Sequence, residues 1–169
     1  CYTGEVLKVK NNTINLSRQF TQIGAEIIGV EKNFCLVEII NLIIETLNKL
    51  NIKKFIINFF IPDLIKLIAK DFNLNKSDFN TLVNCYKNKN LYKIKSISND
   101  LFEMSEHFLR SIGNINEKAD NLKNYNFPKN IKLEIKNFTD QIIKIKEEFN
   151  DYEIIIDPLE IDDSNYHTG

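Results

Sequence analysis

Residues 2–29 read YTGEVLKVKNNTINLSRQFTQIGAEIIG. Tyr2 and residues 5–8 have apolar and β-branched content, residues 10–17 form a polar run with an Asn-Asn pair, and residues 20–30 return to apolar, β-branched character. The pattern predicts strand, long loop and strand, and an antiparallel hairpin is the simplest connection. On a strand starting at Phe20, alternation puts Gln22, Gly24 and Glu26 on one face, an amide and a carboxylate side by side over a glycine floor. Such a face suits a cationic amine. Glu26 stands among Ile23, Ile27 and Ile28 and would be costly to bury unpaired, so a Lys or Arg of the protein, solvent or a ligand ammonium must satisfy it. The plain structural alternative is a sheet edge facing water.

Working outward, the period changes after Asn33. Leu36, Ile40, Ile43, Leu47 and Leu50 recur at spacings of three and four, which predicts an amphipathic helix ending at Asn51. Residues 53–61 (KKFIINFFI) are a short run rich in Ile and Phe before Pro62 and predict a buried strand. Residues 62–150 are nearly all helical in pattern. Pro62 suits a first helical turn, Ser77 a cap for a helix carrying Phe79, Leu82, Val83 and Tyr86, and Asn99 a cap for residues 100–112 before Gly113. After Pro128 the positions Ile131, Ile135, Phe138, Ile142, Ile145 and Phe149 form a heptad-like seam. Three heptads are short for an independent coiled coil, so this seam should pack inside the domain. Residues 151–157 (DYEIIID) return to strand character, and Pro158 ends or bends that strand. The fold class expected is α+β: a sheet interrupted by a helical excursion and then resumed.

The chain has 169 residues, 22 Lys+Arg and 23 Asp+Glu, the composition of a globular domain, and its length allows one domain or one with a modest insertion. Apolar stretches are broken by Glu38, Asn41, Glu45, Asn58, Asp63 and Lys66, so no membrane-spanning helix is expected. Cys1 in place of Met, with a strand beginning at once, suggests an internal piece of a longer protein. Cys1, Cys35 and Cys85 are three widely spaced cysteines without a CxxC pair, and with two histidines in the chain they exclude a zinc site; a reducing, cytoplasmic setting fits them. Asp157, Asp162 and Asp163 lack further ligands at set spacing, so no metal is expected. Residues 147–169 hold eight acidic groups and no Lys or Arg; internal charge compensation is the simplest reading. Lys87, Lys89, Lys93 and Lys95 alternate with Tyr86, Leu91 and Tyr92, but without Arg they read as a solvated face rather than a nucleic-acid surface. His107 follows Glu103 by four and adjoins Phe108, so it reads as a surface ion pair or a half-buried helix residue.

Two segments at opposite ends of the chain carry a resemblance. Residues 2–29, with Gln22-Ile23-Gly24-Ala25-Glu26, resemble motif 2 of the class II aminoacyl-tRNA synthetase fold in its histidyl-tRNA synthetase form. Residues 157–169, DPLEIDDSNYHTG, are similar to the family's second histidine-specific segment, which typically reads Arg-Gly-Leu-Asp-Tyr-Tyr-Thr-Gly. The resemblance implies a core in two parts, residues 1–61 and 151–169, separated by a mainly helical insertion, residues 62–150. It also implies that Gln22, Glu26, Tyr166 and His167 contact histidine.

The departures bear on the chemistry. Where the synthetases have two motif 2 arginines that grip ATP phosphates, this chain has Lys8 and Leu16. Lys8 keeps charge without the two-pronged geometry, and Leu16 keeps neither. Asp162 stands where the aminoacylating members have a catalytic Arg. A carboxylate there repels ATP and acyl phosphate alike, and losing one such stabilising donor already costs about a hundredfold in rate. Lys8, Arg18 and Asp162 thus read as a degenerate nucleotide site in a chain with twenty Lys and two Arg. Within the family the chain most resembles the regulatory subunits of ATP phosphoribosyltransferase, the enzyme of the first step of histidine biosynthesis. That resemblance implies a non-catalytic subunit, a short catalytic partner subunit, feedback by free histidine, a homodimer within a hetero-oligomer, and no cofactor. The alternative is a divergent histidyl-tRNA synthetase that activates histidine and charges tRNA.

Overall fold

The computed structural model describes residues 1–7, 18–29 and 32–161. Their fold is α+β and divides into two compact units, Cys1–Lys53 and Lys54–Gly169.

In the first unit, β1 (Tyr2–Leu7) and β2 (Gln19–Gly24) form the expected antiparallel hairpin, with Tyr2 opposite Gly24 and Leu7 opposite Gln19. The second strand is shorter than predicted. It stops at Gly24, so residues 25–28 are not strand and the alternation invoked for Glu26 does not reach it. The face carrying Glu5 is held by polar cross-strand pairs: Thr21 Oγ1 donates to Glu5 Oε1 at 2.7 Å and Gln19 Nε2 to Oε2 at 3.1 Å. Helix α1 (Lys32–Lys49) follows. Its buried residues are Ile40 and Ile44, whereas Ile43 is 48% exposed, so the apolar stripe is narrower and rotated from the predicted one. Asn51 ends the helix in the left-handed region (φ 59°), with Ile52 N–H donating to Leu47 O and Asn51 N–H to Asn48 O. Those bonds satisfy carbonyls that a helix end otherwise leaves open.

The second unit begins with β3 (Ile56–Phe59), followed by α2 (Leu64–Asp71) and α3 (Lys76–Lys87). A 3-10 turn (Tyr92–Ser96) leads to α4 (Asn99–Arg110), then β4 (Gly113–Asn114), α5 (Ile115–Lys123), α6 (Lys129–Glu148) and β5 (Glu153–Ile156). The sheet order is β3-β5-β4, with β3 parallel and β4 antiparallel to β5. Position in this sheet corrects the expectation of a buried β3. It is an edge strand with Ile56 55% exposed, while central β5 buries Ile154 and Ile156 completely. The pairing that makes β5 central joins residues about a hundred positions apart, which local periodicity cannot foresee.

Two caps lie one or two residues before those expected. Asn75, not Ser77, caps α3 and accepts from Ser77 N–H and Asp78 N–H, and Ser98, not Asn99, caps α4 by accepting from Leu101 N–H. The seam of α6 packs inside the unit as expected: Ile131, Ile135, Phe138, Ile142, Ile145 and Phe149 are all buried, and α6 meets α5 and α2. The core continues through Ile68, Leu82, Ile94, Leu101, Phe108, Ile115 and Leu122, each fully enclosed. One hydroxyl relay crosses it. Ser105 Oγ donates to Leu101 O at 2.7 Å and accepts from the Tyr86 hydroxyl at 2.9 Å, and burial holds that phenol well above its ordinary pKa.

Candidate functional site

The geometry of the hairpin positions the amine-binding candidates. Tyr2, Gly4, Phe20, Gln22 and Gly24 share one face because Tyr2 pairs with Gly24 and Gly4 with Gln22. The glycine floor is covered: the Tyr2 ring lies over Gly24 so closely that a Cβ added at Gly24 would overlap it. The same tyrosine accepts a hydrogen bond at its hydroxyl from Gln22 Nε2 at 3.0 Å. The amide nitrogen of Gln22 is engaged in this way, which leaves Oε1 as the acceptor end of the side chain. Tyr2 was not singled out from sequence. Strand pairing puts it on the site face, and the register was the missing signal.

Glu26 lies two residues beyond β2 and is exposed, so it is not buried among the isoleucines as the strand extrapolation required. No cation pairs with Glu26 among the described residues. Arg18 is exposed at the bend before β2. Lys8, Leu16, Asp162, Asp163, Tyr166 and His167 lie outside the described residues. Of the predicted site, the structure therefore brings Gln22 and Gly24 together on one strand face under Tyr2, with Glu26 on the segment that follows.

Several other residues have definite structural roles. Lys89 Nζ lies 2.9 Å from both carboxylate oxygens of Asp157 and 3.6 Å from Glu160, and Lys95 lies 5.7 Å from the centroid of the Phe102 ring. Two of the four lysines weighed as a nucleic-acid face are thus committed within the unit. Asp157 belongs to this ion pair, and among the described residues no group of three or more His, Cys, Asp or Glu is arranged to hold a metal. His107 is half-buried, not ion-paired. Its Nε2 lies 2.8 Å from Asn121 O, and its ring stacks on Tyr125 at 4.7 Å and meets Phe127 edge-on at 5.7 Å. Burial, opposed by the Asn121 carbonyl contact and assisted by Arg110, lowers its pKa below 6.5. Cys85 is buried, Cys35 half-buried and Cys1 exposed, and burial pushes the Cys85 thiol up, away from nucleophilic use. A cavity of about 440 Å³ in the same unit is lined by residues including Asp71, Asp100, Glu103, Tyr125 and Phe127.

Among the described residues no helix is long and apolar enough to cross a membrane. A motif 2-like hairpin, mixed strands and a large set of inserted helices together define an α+β protein of the class II aminoacyl-tRNA synthetase type. The family model for histidyl-tRNA synthetase matches residues 1–169, and the chain belongs to that family. Among its relatives is an ATP phosphoribosyltransferase regulatory subunit from Clostridium novyi, 33% identical over 136 residues, which are 75% of this chain and 32% of the relative. A regulatory subunit of the same name from Caldanaerobacter subterraneus is 28% identical over 176 residues, covering 100% of this chain and 46% of that protein. One from Gluconobacter oxydans is 23% identical over 168 residues, 99% of this chain and 44% of its own length. The chain spans between about a third and just under half of these relatives.

Proposed function

We propose that this chain is part of the synthetase-like core of a non-catalytic regulatory subunit, one that serves a short catalytic subunit of ATP phosphoribosyltransferase in the first step of histidine biosynthesis. The observation that carries the reading is the likeness to regulatory subunits of that name in several bacteria, joined to the charge reversal at Asp162 and the lost arginines at Lys8 and Leu16. A family fold with its phosphate grips removed is suited to binding and signalling rather than adenylation. In this reading residues 1–61 and 151–169 are core, residues 62–150 are the insertion, and the protein works in the cytoplasm as a homodimer within a hetero-oligomer.

The ligand is free histidine. Gln22 Oε1 and the Glu26 carboxylate supply acceptors for its α-ammonium, and Tyr166 and His167 face its imidazole, as the resemblance implies. The regulatory assignment is tested by mixing the protein with a short phosphoribosyltransferase subunit. Activity should arise only in the mixture and should fall when histidine is added. Histidine- and ATP-dependent pyrophosphate exchange by the protein alone would overturn this in favour of a divergent synthetase. The ligand assignment is tested by calorimetric titration with histidine. Glu26→Gln should weaken binding about tenfold or more, the loss expected when a charged hydrogen bond to an ammonium is neutralised, and equal affinity would leave Glu26 a surface residue only.

A further inference from the structure

The cavity of about 440 Å³ in the second unit lies where three parts of the chain meet: the end of α2, the first turns of α4 and the link from α5 to α6. Asp71, the last residue of α2, and Phe72 after it form one wall. Asp100 and Glu103, three apart and so on one face of α4, form the second, and Tyr125 and Phe127 the third. The volume is that of a small-molecule site. Its lining holds three carboxylates and no Lys, Arg or His, and among the described residues no ion pair engages Asp71, Asp100 or Glu103.

Asp71 supplies the sharper observation. Its Oδ1 accepts from Asn130 Nδ2 at 3.1 Å, which fixes the carboxylate against the start of α6, while its Oδ2 is buried without a hydrogen-bond partner among the described residues. An enclosed carboxylate oxygen left in this way is costly, and native structures satisfy nearly all such atoms. The negative end of the α2 dipole adds to the cost, because a carboxylate in the last turn of a helix is disfavoured. The missing partner is therefore a cation. Across the cavity the Tyr125 ring is held in place by His107 and Phe127, each at 4.7 Å. Burial, then Glu103 and then Asp100 hold the pKa of its phenol above the ordinary value, so the charge of both rim carboxylates is felt at this wall.

We propose that this cavity binds a linear polyamine, with one ammonium on Asp71 Oδ2, another at the rim with Asp100 and Glu103, and the methylenes between them against Phe72, Tyr125 and Phe127. A single metal ion does not suit the site, because the three carboxylates are not arranged to converge on one point. Charges set apart call for cations set apart. The aromatic walls favour an alkylammonium over a strongly hydrated inorganic ion, since a ring face attracts the cation and covers the chain that carries it.

Calorimetric titration of the full chain with spermidine should show one saturable site. Asp71→Asn and Glu103→Gln should each weaken it about tenfold, the loss expected when a charged hydrogen bond is neutralised. Asp63→Asn, at an exposed carboxylate outside the cavity that is paired with Lys66, should leave the affinity unchanged. Glu103 is exposed on α4, so Glu103→Gln decides the matter even if Asp71→Asn fails to fold. Magnesium chloride at the same ionic strength should give no comparable saturation. Absence of a saturable spermidine site, equal saturation by magnesium, or wild-type affinity in Glu103→Gln would each overturn the proposal. Histidine has no part in these measurements, so their failure leaves the histidine reading untouched.

Discussion

The two units differ sharply in how much apolar surface they bury. Among the described residues, the buried apolar side chains from Cys1–Lys53 are Ile40 and Ile44; the others belong to Lys54–Gly169. The first unit instead exposes Leu7, Ile23, Ile28, Leu50 and Ile52, with Ile23 at 78% and Ile28 at 87%. Yet this thinly packed unit carries the hairpin on which the resemblance to motif 2 rests, while the generic helical pattern of the second carries the core. A two-stranded ribbon is marginal by itself, so Gln22 and Tyr2 are held by register and cross-strand contacts rather than by a core beneath them. The comparison teaches that the signature of the family and the energy of the fold reside in different residues.

The largest effect expected on that contrast comes from truncation. Phe108 is fully enclosed and stacks on Phe127 at 5.0 Å, so Phe108→Ala should cost about 3–5 kcal/mol in urea unfolding of the second unit. Ile23→Ala, on the hairpin, should change stability by less than about 0.5 kcal/mol. Comparable losses from the two would break the division of labour.

A pH effect of intermediate size belongs to the second unit. His107 is held below 6.5 by burial, with Arg110 acting in the same direction and the Asn121 carbonyl against it. Above 6.5 the imidazole is neutral in folded and unfolded chains alike, and no dependence arises from it. As pH falls through 6.5 the unfolded chain takes up the proton first, so stability contributed by neutral His107 is lost progressively until the lower folded value is passed. Wild type minus His107→Gln, followed by thermal melting from about pH 7 to about pH 5, should therefore decline with acid. A flat difference would mean that the ring stacking on Tyr125 does not exclude water as its contacts indicate.

Legibility followed the range of the forces involved. The hairpin, α1, the seam of α6 and the returning strand were readable because each depends on a period within its own segment. The long hairpin register, the edge position of β3 and the two-residue β4 were not, since each is settled by a partner distant in sequence. The site shows the same limit. Gln22 and Gly24 were placed correctly by alternation, but Tyr2 over them needed the register, and Glu26 was placed on a strand that ends at Gly24 because Ala25, Ile27 and Ile28 look like its continuation. Lys89 and Asp157 were each noticed separately, as a surface lysine and a weak metal candidate. Their pairing joins the turn after α3 to the turn after β5 across 68 residues, and nothing in either local segment points to the other.

The smallest effect sharpens the comparison most, because it uses one device present in both units. Asn51 in the first and Asn73 in the second occupy the same left-handed cap position at φ 59° and 50°, each followed by a residue whose N–H donates to the carbonyl five residues earlier at 2.9 Å. Glycine meets no Cβ penalty there, so either Asn→Gly change should stabilise by about 0.5 kcal/mol, offset only in part by the freedom glycine gains in the unfolded chain. Alanine at either place should destabilise by about 1 kcal/mol for the opposite reason. If the units unfold as one, Asn51→Gly and Asn73→Gly will raise the same transition by similar amounts. If the sparse core of the first unit lets it open alone, Asn51→Gly will raise only an early transition and Asn73→Gly only a late one. Hydrogen exchange resolved by segment distinguishes these outcomes, since the sparser burial of the first unit requires lower opening energies there.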